Sequence, residues 1–152
     1  MKTRDIVQSA YVLAMHGMLI MLVGFLEGSA YSLAITGGKA SDVVLQWRVA
    51  HLGSISGGLL LLAGSYVTTL IEASHGIWLM RTYVLGGYAF AVAMLLAAVL
   101  GPRGLSPQLP ATNLVVHVLY AVGSIAVLIG TALAVWALRK AALDAANGQK
   151  SL

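Results

Sequence analysis

The chain has 152 residues, 59% of them hydrophobic and only 9% charged, with a mean hydropathy of +0.89. Soluble domains carry about 25% charged residues, so this composition excludes a separate water-soluble domain and leaves room for four membrane crossings at ~20 apolar residues each. The formal charge of +4 comes without a basic cluster, so no nucleic-acid partner is expected, and the lack of cysteine removes disulfides, thiolate metal clusters and thiol nucleophiles.

The N-terminal stretch MKTRDIVQSAYVLAMHGMLIMLVGFLEG starts basic and turns apolar, as a signal peptide does. Its apolar run is too long for a signal core and no small-residue cleavage site follows, so it reads as a retained first crossing. That helix is expected over about 11–35, stopping at Gly37-Gly38. The second is expected over about 49–71, followed by a short turn at 72–76 in which His75 is solvated. The third covers about 77–100, with Arg81, Tyr83 and Tyr88 near its start and Tyr83 read as an interfacial anchor. The loop 101–111 holds all three prolines and cannot be helical throughout. The fourth helix runs from Thr112, a plausible cap, to about Leu138, and a polar tail follows Arg139-Lys140. The predicted fold is thus all-α, a single integral membrane bundle of four transmembrane helices over residues 1–152.

Lys2, Arg4, Arg81, Arg139, Lys140 and Lys150 fall on one side of this arrangement, and Lys39, Arg48 and Arg103 on the other. The excess of positive charge places both termini on the cytoplasmic side.

Ionisable groups at membrane depth are costly and face the protein interior; the candidates are His16, Glu27, His51, Arg81 and His117. His16 and Glu27 are eleven residues apart, close to three helical turns, so they share one face with Tyr31. That face is either one wall of a buried polar site or a single carboxyl bonded to a neighbouring helix. Arg81 and Tyr88 likewise share a face. His51 and His117 each lie just inside helices that start on the same side, so similar depth is expected. Imidazole is the usual axial ligand of haem iron, and Gly53, Ser54, Ser56, Gly57 and Gly58 below His51 leave room for a planar macrocycle. The competing reading is that Gly53 and Gly57 form a GxxxG helix-packing pair. There is no phosphate loop, no HExxH and no nucleophile elbow.

Trp47-Arg-Val-Ala-His51 with its small-residue run resembles the second helix of the styrene oxide isomerase family. His-Gly-Met-Leu from His16 resembles the start of that family's first helix, and Gly-Pro-Arg-Gly-Leu-Ser from Gly101 the segment after its third. The resemblance implies a trimeric isomerase of a bacterial inner membrane that holds haem b between subunits. His51 is then the axial iron ligand, with His117 and His16 as weaker candidates, and Trp47, Ser54, Gly58 and Arg103 lie around the cofactor. Ferric iron acts as a Lewis acid on a lipophilic aryl epoxide, which rearranges to an aldehyde. Two substrate-side positions depart from the family: Gly57 stands where the family has asparagine and Met94 where it has tyrosine; Tyr88 is a further catalytic candidate.

Three other readings accompany this one. AHLGSISGGLLLLAG also resembles a helix of hydroxylaminobenzene mutases, isomerases of arylhydroxylamines. A non-enzymatic membrane haem protein, for electron transfer or sensing, is another reading, and ligation by both His51 and His117 would favour electron transfer. A glutathione-using four-helix trimer would need a more basic pocket than these charges offer.

Overall fold

The computed structural model describes residues 2–101 and 111–149, with side chains described from residue 6 to residue 147. It contains α1 (Lys2–Thr36), α2 (Ser41–Leu70), α3 (Ala73–Leu100) and α4 (Ala111–Gln149), with no strand among the described residues. All four are long and apolar enough to cross a membrane. The architecture is therefore the predicted all-α bundle of four transmembrane helices, as the hydrocarbon requires of a chain that must satisfy its own backbone hydrogen bonds.

Several boundaries differ from those expected from hydropathy, because helices do not stop where the apolar stretch does. Helix α1 begins at Lys2 and α2 at Ser41 rather than near Val49. Helix α4 runs on to Gln149, since its alanine-rich end has high helix propensity whether or not it is apolar. Thr112 lies inside α4 rather than capping it. The stops that glycine signals hold. Gly38 closes the end of α1 at φ 64°, and Gly101 caps α3 at φ 83°, donating its N–H to the Ala97 carbonyl at 3.0 Å.

The contacts fix an up-down-up-down order. Gly17 meets Gly58 and Gly28 meets His51, so α1 and α2 run antiparallel. Gly64 meets Tyr83 and Gly53 meets Met94, so α2 and α3 do too, while Gly130 against Tyr83 and Gly123 against Phe90 set α4 antiparallel to α3. Helices α1, α2 and α3 pack mutually, and α4 lies mainly on α3 without touching α1. Helix α3 is consequently the central one, with 50% of its apolar window buried against 22% for α4.

Helices in lipid gain no hydrophobic energy from association, so small residues that let backbones approach carry the packing. A Cβ on Gly58 would lie 2.6 Å from the Gly17 carbonyl oxygen, and one on Gly17 2.8 Å from the Gly58 oxygen. This is the close crossing of α1 and α2, and it is not the Gly53–Gly57 pair that spacing suggested. Gly53 instead receives the Met94 side chain, and Gly57 meets only Ile20, at 3.9 Å from an added Cβ. Tyr83 is buried rather than anchored at an interface. Its ring fills the notches left by Gly64 of α2 and Gly130 of α4, and its hydroxyl is 3.3 Å from Thr131 Oγ1. The outer surface carries exposed apolar side chains such as Leu26, Leu33, Leu128 and Val135.

The antiparallel order gathers the start of α1, the α2–α3 turn and the end of α4 at one end of the bundle. There Lys140 Nζ bonds Glu72 Oε1 at 2.8 Å. His75 lies in the first turn of α3 and is not solvated: its side chain is 18% exposed, edge-on to Trp136 at 4.7 Å between ring centroids.

The Gly17–Gly58 crossing predicts a strong asymmetry between neighbours on α2. Gly58→Leu overpacks the seam and is expected to lower stability by about 1–3 kcal/mol. Leu59→Val on the exposed face is expected to change it little. Unfolding in mixed micelles of increasing denaturing detergent compares the two.

Candidate functional site

His51 stands on the side of α2 that faces α1. Its Nδ1 is 2.7 Å from the carbonyl oxygen of Gly24. A carbonyl can only accept, so Nδ1 carries the proton and donates, and Nε2 is left with the ring's in-plane lone pair. The ring fits because α1 has no side chain at position 28: a Cβ there would lie 2.8 Å from Nδ1 and 2.9 Å from Cε1. Gly24 admits the neighbouring Ile55 in the same way. The signal for this cradle is in the sequence as two glycines at i and i+4 flanking Glu27, but only the pairing with α2 gives it meaning.

Two further polar groups are sealed beside His51. Glu27 is 2% exposed and Ser54 is fully buried. Neither Glu27 oxygen nor Ser54 Oγ makes a hydrogen bond. The predicted polar face of α1 therefore exists but divides between two neighbours. Glu27 faces α2, whereas His16 Nδ1 meets the Tyr88 hydroxyl of α3 at 2.9 Å, with the rings edge to face.

His16 and Tyr88 line a groove of about 440 Å³ between α1 and α3, with Arg81 at the same groove and Val12, Val84 and Leu85 as apolar walls. Arg81 and Tyr88 share a face, as their spacing indicates. His16 is eight residues before Gly24, so this pair lies roughly 12 Å along α1 from the His51 cradle at 1.5 Å per residue. Tyr88 and His16 are thus not brought to His51.

The other candidate residues also separate. Trp47 is half-buried against Ala50, Met94 and Ala98 on the side of α2 turned to α3. Met94 sits there too, in a recess of about 330 Å³ with Asp42, Gln46 and Tyr120. Ser54 is fully buried, and Gly58 is buried at the α1–α2 crossing, where the Gly17 carbonyl and Met21 close over it. His117, half-buried on α4, lies near the depth of His51, because Val116 packs on Ala93 and Ala97 of α3 while Met94 meets Gly53. Depth is shared, but His51 turns its ring toward α1, away from the pairing of two histidines. Arg103 falls outside the described residues.

No group of three or more His, Asp or Glu side chains among the described residues is placed to hold a metal ion. What the described side chains offer is one oriented imidazole, its tautomer set by a backbone carbonyl, next to a buried carboxyl. A hydrogen bond from one ring nitrogen to a carbonyl or carboxylate is also how a metal-binding histidine is usually held.

The geometry predicts that ¹⁵N spectra of histidine-labelled protein place His51 in the Nδ1–H form, identified by the signal lost in His51→Gln. Gly28→Ala is expected to displace that signal, because the added methyl meets the ring. Gly57→Ala, which meets only ordinary contact, is expected to leave it in place.

The sequence model of one protein family, styrene oxide isomerase, matches residues 9–139, a span that includes the His51 cradle, Glu27 and Ser54, all of α2 and α3 and most of α1 and α4. No curated protein and no solved structure matches the chain. With the family matched over most of its length, the chain belongs to the styrene oxide isomerase family, a membership that carries an isomerase type of function.

Proposed function

We propose that this protein is a haem-b-dependent membrane isomerase that rearranges lipophilic aryl epoxides to aldehydes without net redox change. It works as a homotrimer in a bacterial inner membrane, with both termini cytoplasmic. The observation that carries this reading is the His51 ring. Its Nδ1 is committed to the Gly24 carbonyl at 2.7 Å, leaving Nε2 as a ligand of fixed direction. With one oriented imidazole as its donor, the site would suit an iron that a macrocycle already binds. Bound there in its ferric state, haem b supplies a Lewis acid for the epoxide oxygen.

The chain's own part is to hold and to exclude. His51 would hold the iron, and Gly24 and Gly28 orient its ring. Phe25 and Leu26, 58% and 66% exposed beside the cradle, present an apolar face for a neighbouring subunit of the trimer to cover. The rearrangement opens the C–O bond at the benzylic carbon. A hydride then moves to that carbon from its neighbour as the carbonyl forms, so the product has the formula of the substrate. Water at the electron-poor carbon would divert it to a diol, and a site among transmembrane helices keeps water away. An aryl epoxide partitions into lipid and reaches such a site from the bilayer.

Detergent-purified protein is expected to show a ferric Soret band that His51→Ala removes, and to convert styrene oxide to phenylacetaldehyde. Unchanged haem content in His51→Ala would falsify the ligand assignment. A haem-loaded protein that leaves aryl epoxides untouched rejects the substrate class. A low-spin, six-coordinate spectrum points instead to a second histidine and electron transfer.

A further inference from the structure

Glu27 has no role in the account so far, and its surroundings are unusual. A carboxyl 2% exposed in a transmembrane helix, with both oxygens lacking a hydrogen bond, is a standing energetic cost. Replacing such a group by an apolar side chain of similar size is commonly neutral or stabilising. Packing alone therefore gives no reason for a glutamate here. Nor is substrate contact a reason, because both oxygens are shielded by the chain itself. The polar side chains across the same α1–α2 seam are His51 and Ser54.

The placement is specific. Gly24, Glu27 and Gly28 form one face of α1 at i, i+3 and i+4, and His51 and Ser54 are at i and i+3 on the facing side of α2. Gly24 receives the His51 proton through its carbonyl. Gly28 makes room for the ring. Glu27, between them in sequence, lies buried on the same face of α1, with neither oxygen in a hydrogen bond. In a low-dielectric seam, oxygen lone pairs act on a neighbouring ring far more strongly than in water. They favour positive charge on a cation that the ring binds.

Resting on the haem reading of the preceding section, we infer that Glu27 is a positioning residue acting through His51. Its buried, unbonded carboxyl strengthens His51 as a donor and holds the iron in its ferric, Lewis-acidic state. Burial of the axial ligand's surroundings and hydrogen bonding around it are the means by which proteins set haem potentials. This site combines both, with the Gly24 carbonyl and the Glu27 carboxyl on one face of one helix.

The test reads the iron rather than turnover. The ferric/ferrous midpoint potential and the iron–histidine stretching frequency are measured on purified parent, Glu27→Leu, Glu27→Gln and Glu27→Asp proteins. Glu27→Leu is expected to raise the midpoint and lower the stretching frequency. Glu27→Gln, which keeps one oxygen, falls between it and the parent, and Glu27→Asp returns toward the parent. Haem content stays near one per chain in all four. If midpoint and frequency are the same in parent, Leu and Gln proteins, Glu27 is only a packing residue and the inference is overturned. Should Glu27→Leu fail to fold, the Gln and Asp pair decides by the same criterion. A parent protein that binds no haem overturns the preceding section's reading and this one with it. A haem-binding parent with an unmoved potential overturns this one alone.

Discussion

Helices α1 and α2 can touch backbone to backbone because neither has a Cβ where they cross, and the candidate site follows from that contact. At Gly17 and Gly58 an added Cβ would lie 2.8 and 2.6 Å from the opposing carbonyl oxygen. With the helices held that close, two turns further along α1 the Gly24 carbonyl comes within 2.7 Å of the His51 ring. A wider seam would leave the imidazole free to rotate, and its tautomer unfixed. In lipid this is also the natural way to hold helices together, since apolar side chains gain nothing there by leaving one hydrocarbon for another.

The same device recurs through the bundle with different outcomes. Tyr83 lies between Gly64 and Gly130 and joins α2, α3 and α4, while Met94 seats on Gly53. These large side chains fill glycine notches and contribute packing. The His51 notch differs because the ring brings a polar edge with it, and that edge is answered by a backbone oxygen rather than by methyl groups. Glu27 and Ser54 then add polar atoms that nothing answers. A seam that could have been wholly apolar instead carries three polar groups side by side.

The central position of α3 separates the polar features of the protein. On one side of it, His16 and Tyr88 meet at the α1–α3 groove, which Arg81 also lines. On another, Met94 and Tyr120 form a recess with the start of α2. Neither coincides with the His51 cradle. The proposed site at His51 therefore lies in the α1–α2 seam, not in a pocket enclosed by all four helices.

Much of this was legible in the residues alone. Sustained apolar stretches determined the number of helices, and Gly38 and Gly101 marked two of the stops because only glycine takes a left-handed conformation without strain. The Trp47 to His51 motif and the segments beginning at His16 and Gly101 pointed to the family that the match over 9–139 shows, and the scarcity of polar residues singled out His16, Glu27, His51, Arg81 and His117. Hydropathy did not locate the polar helix ends at Ser41 and Gln149, because helical hydrogen bonding continues beyond the hydrocarbon. Pairing was decided only by the tertiary structure. Spacing along one helix fixes which residues share a face but not which neighbour that face meets, so it could not choose Gly58 over Gly53 and Gly57 as the crossing point. Nor could it send His16 to Tyr88 and Glu27 to Ser54, or show that Gly24 and Gly28 of another helix fix the orientation of the histidine ring.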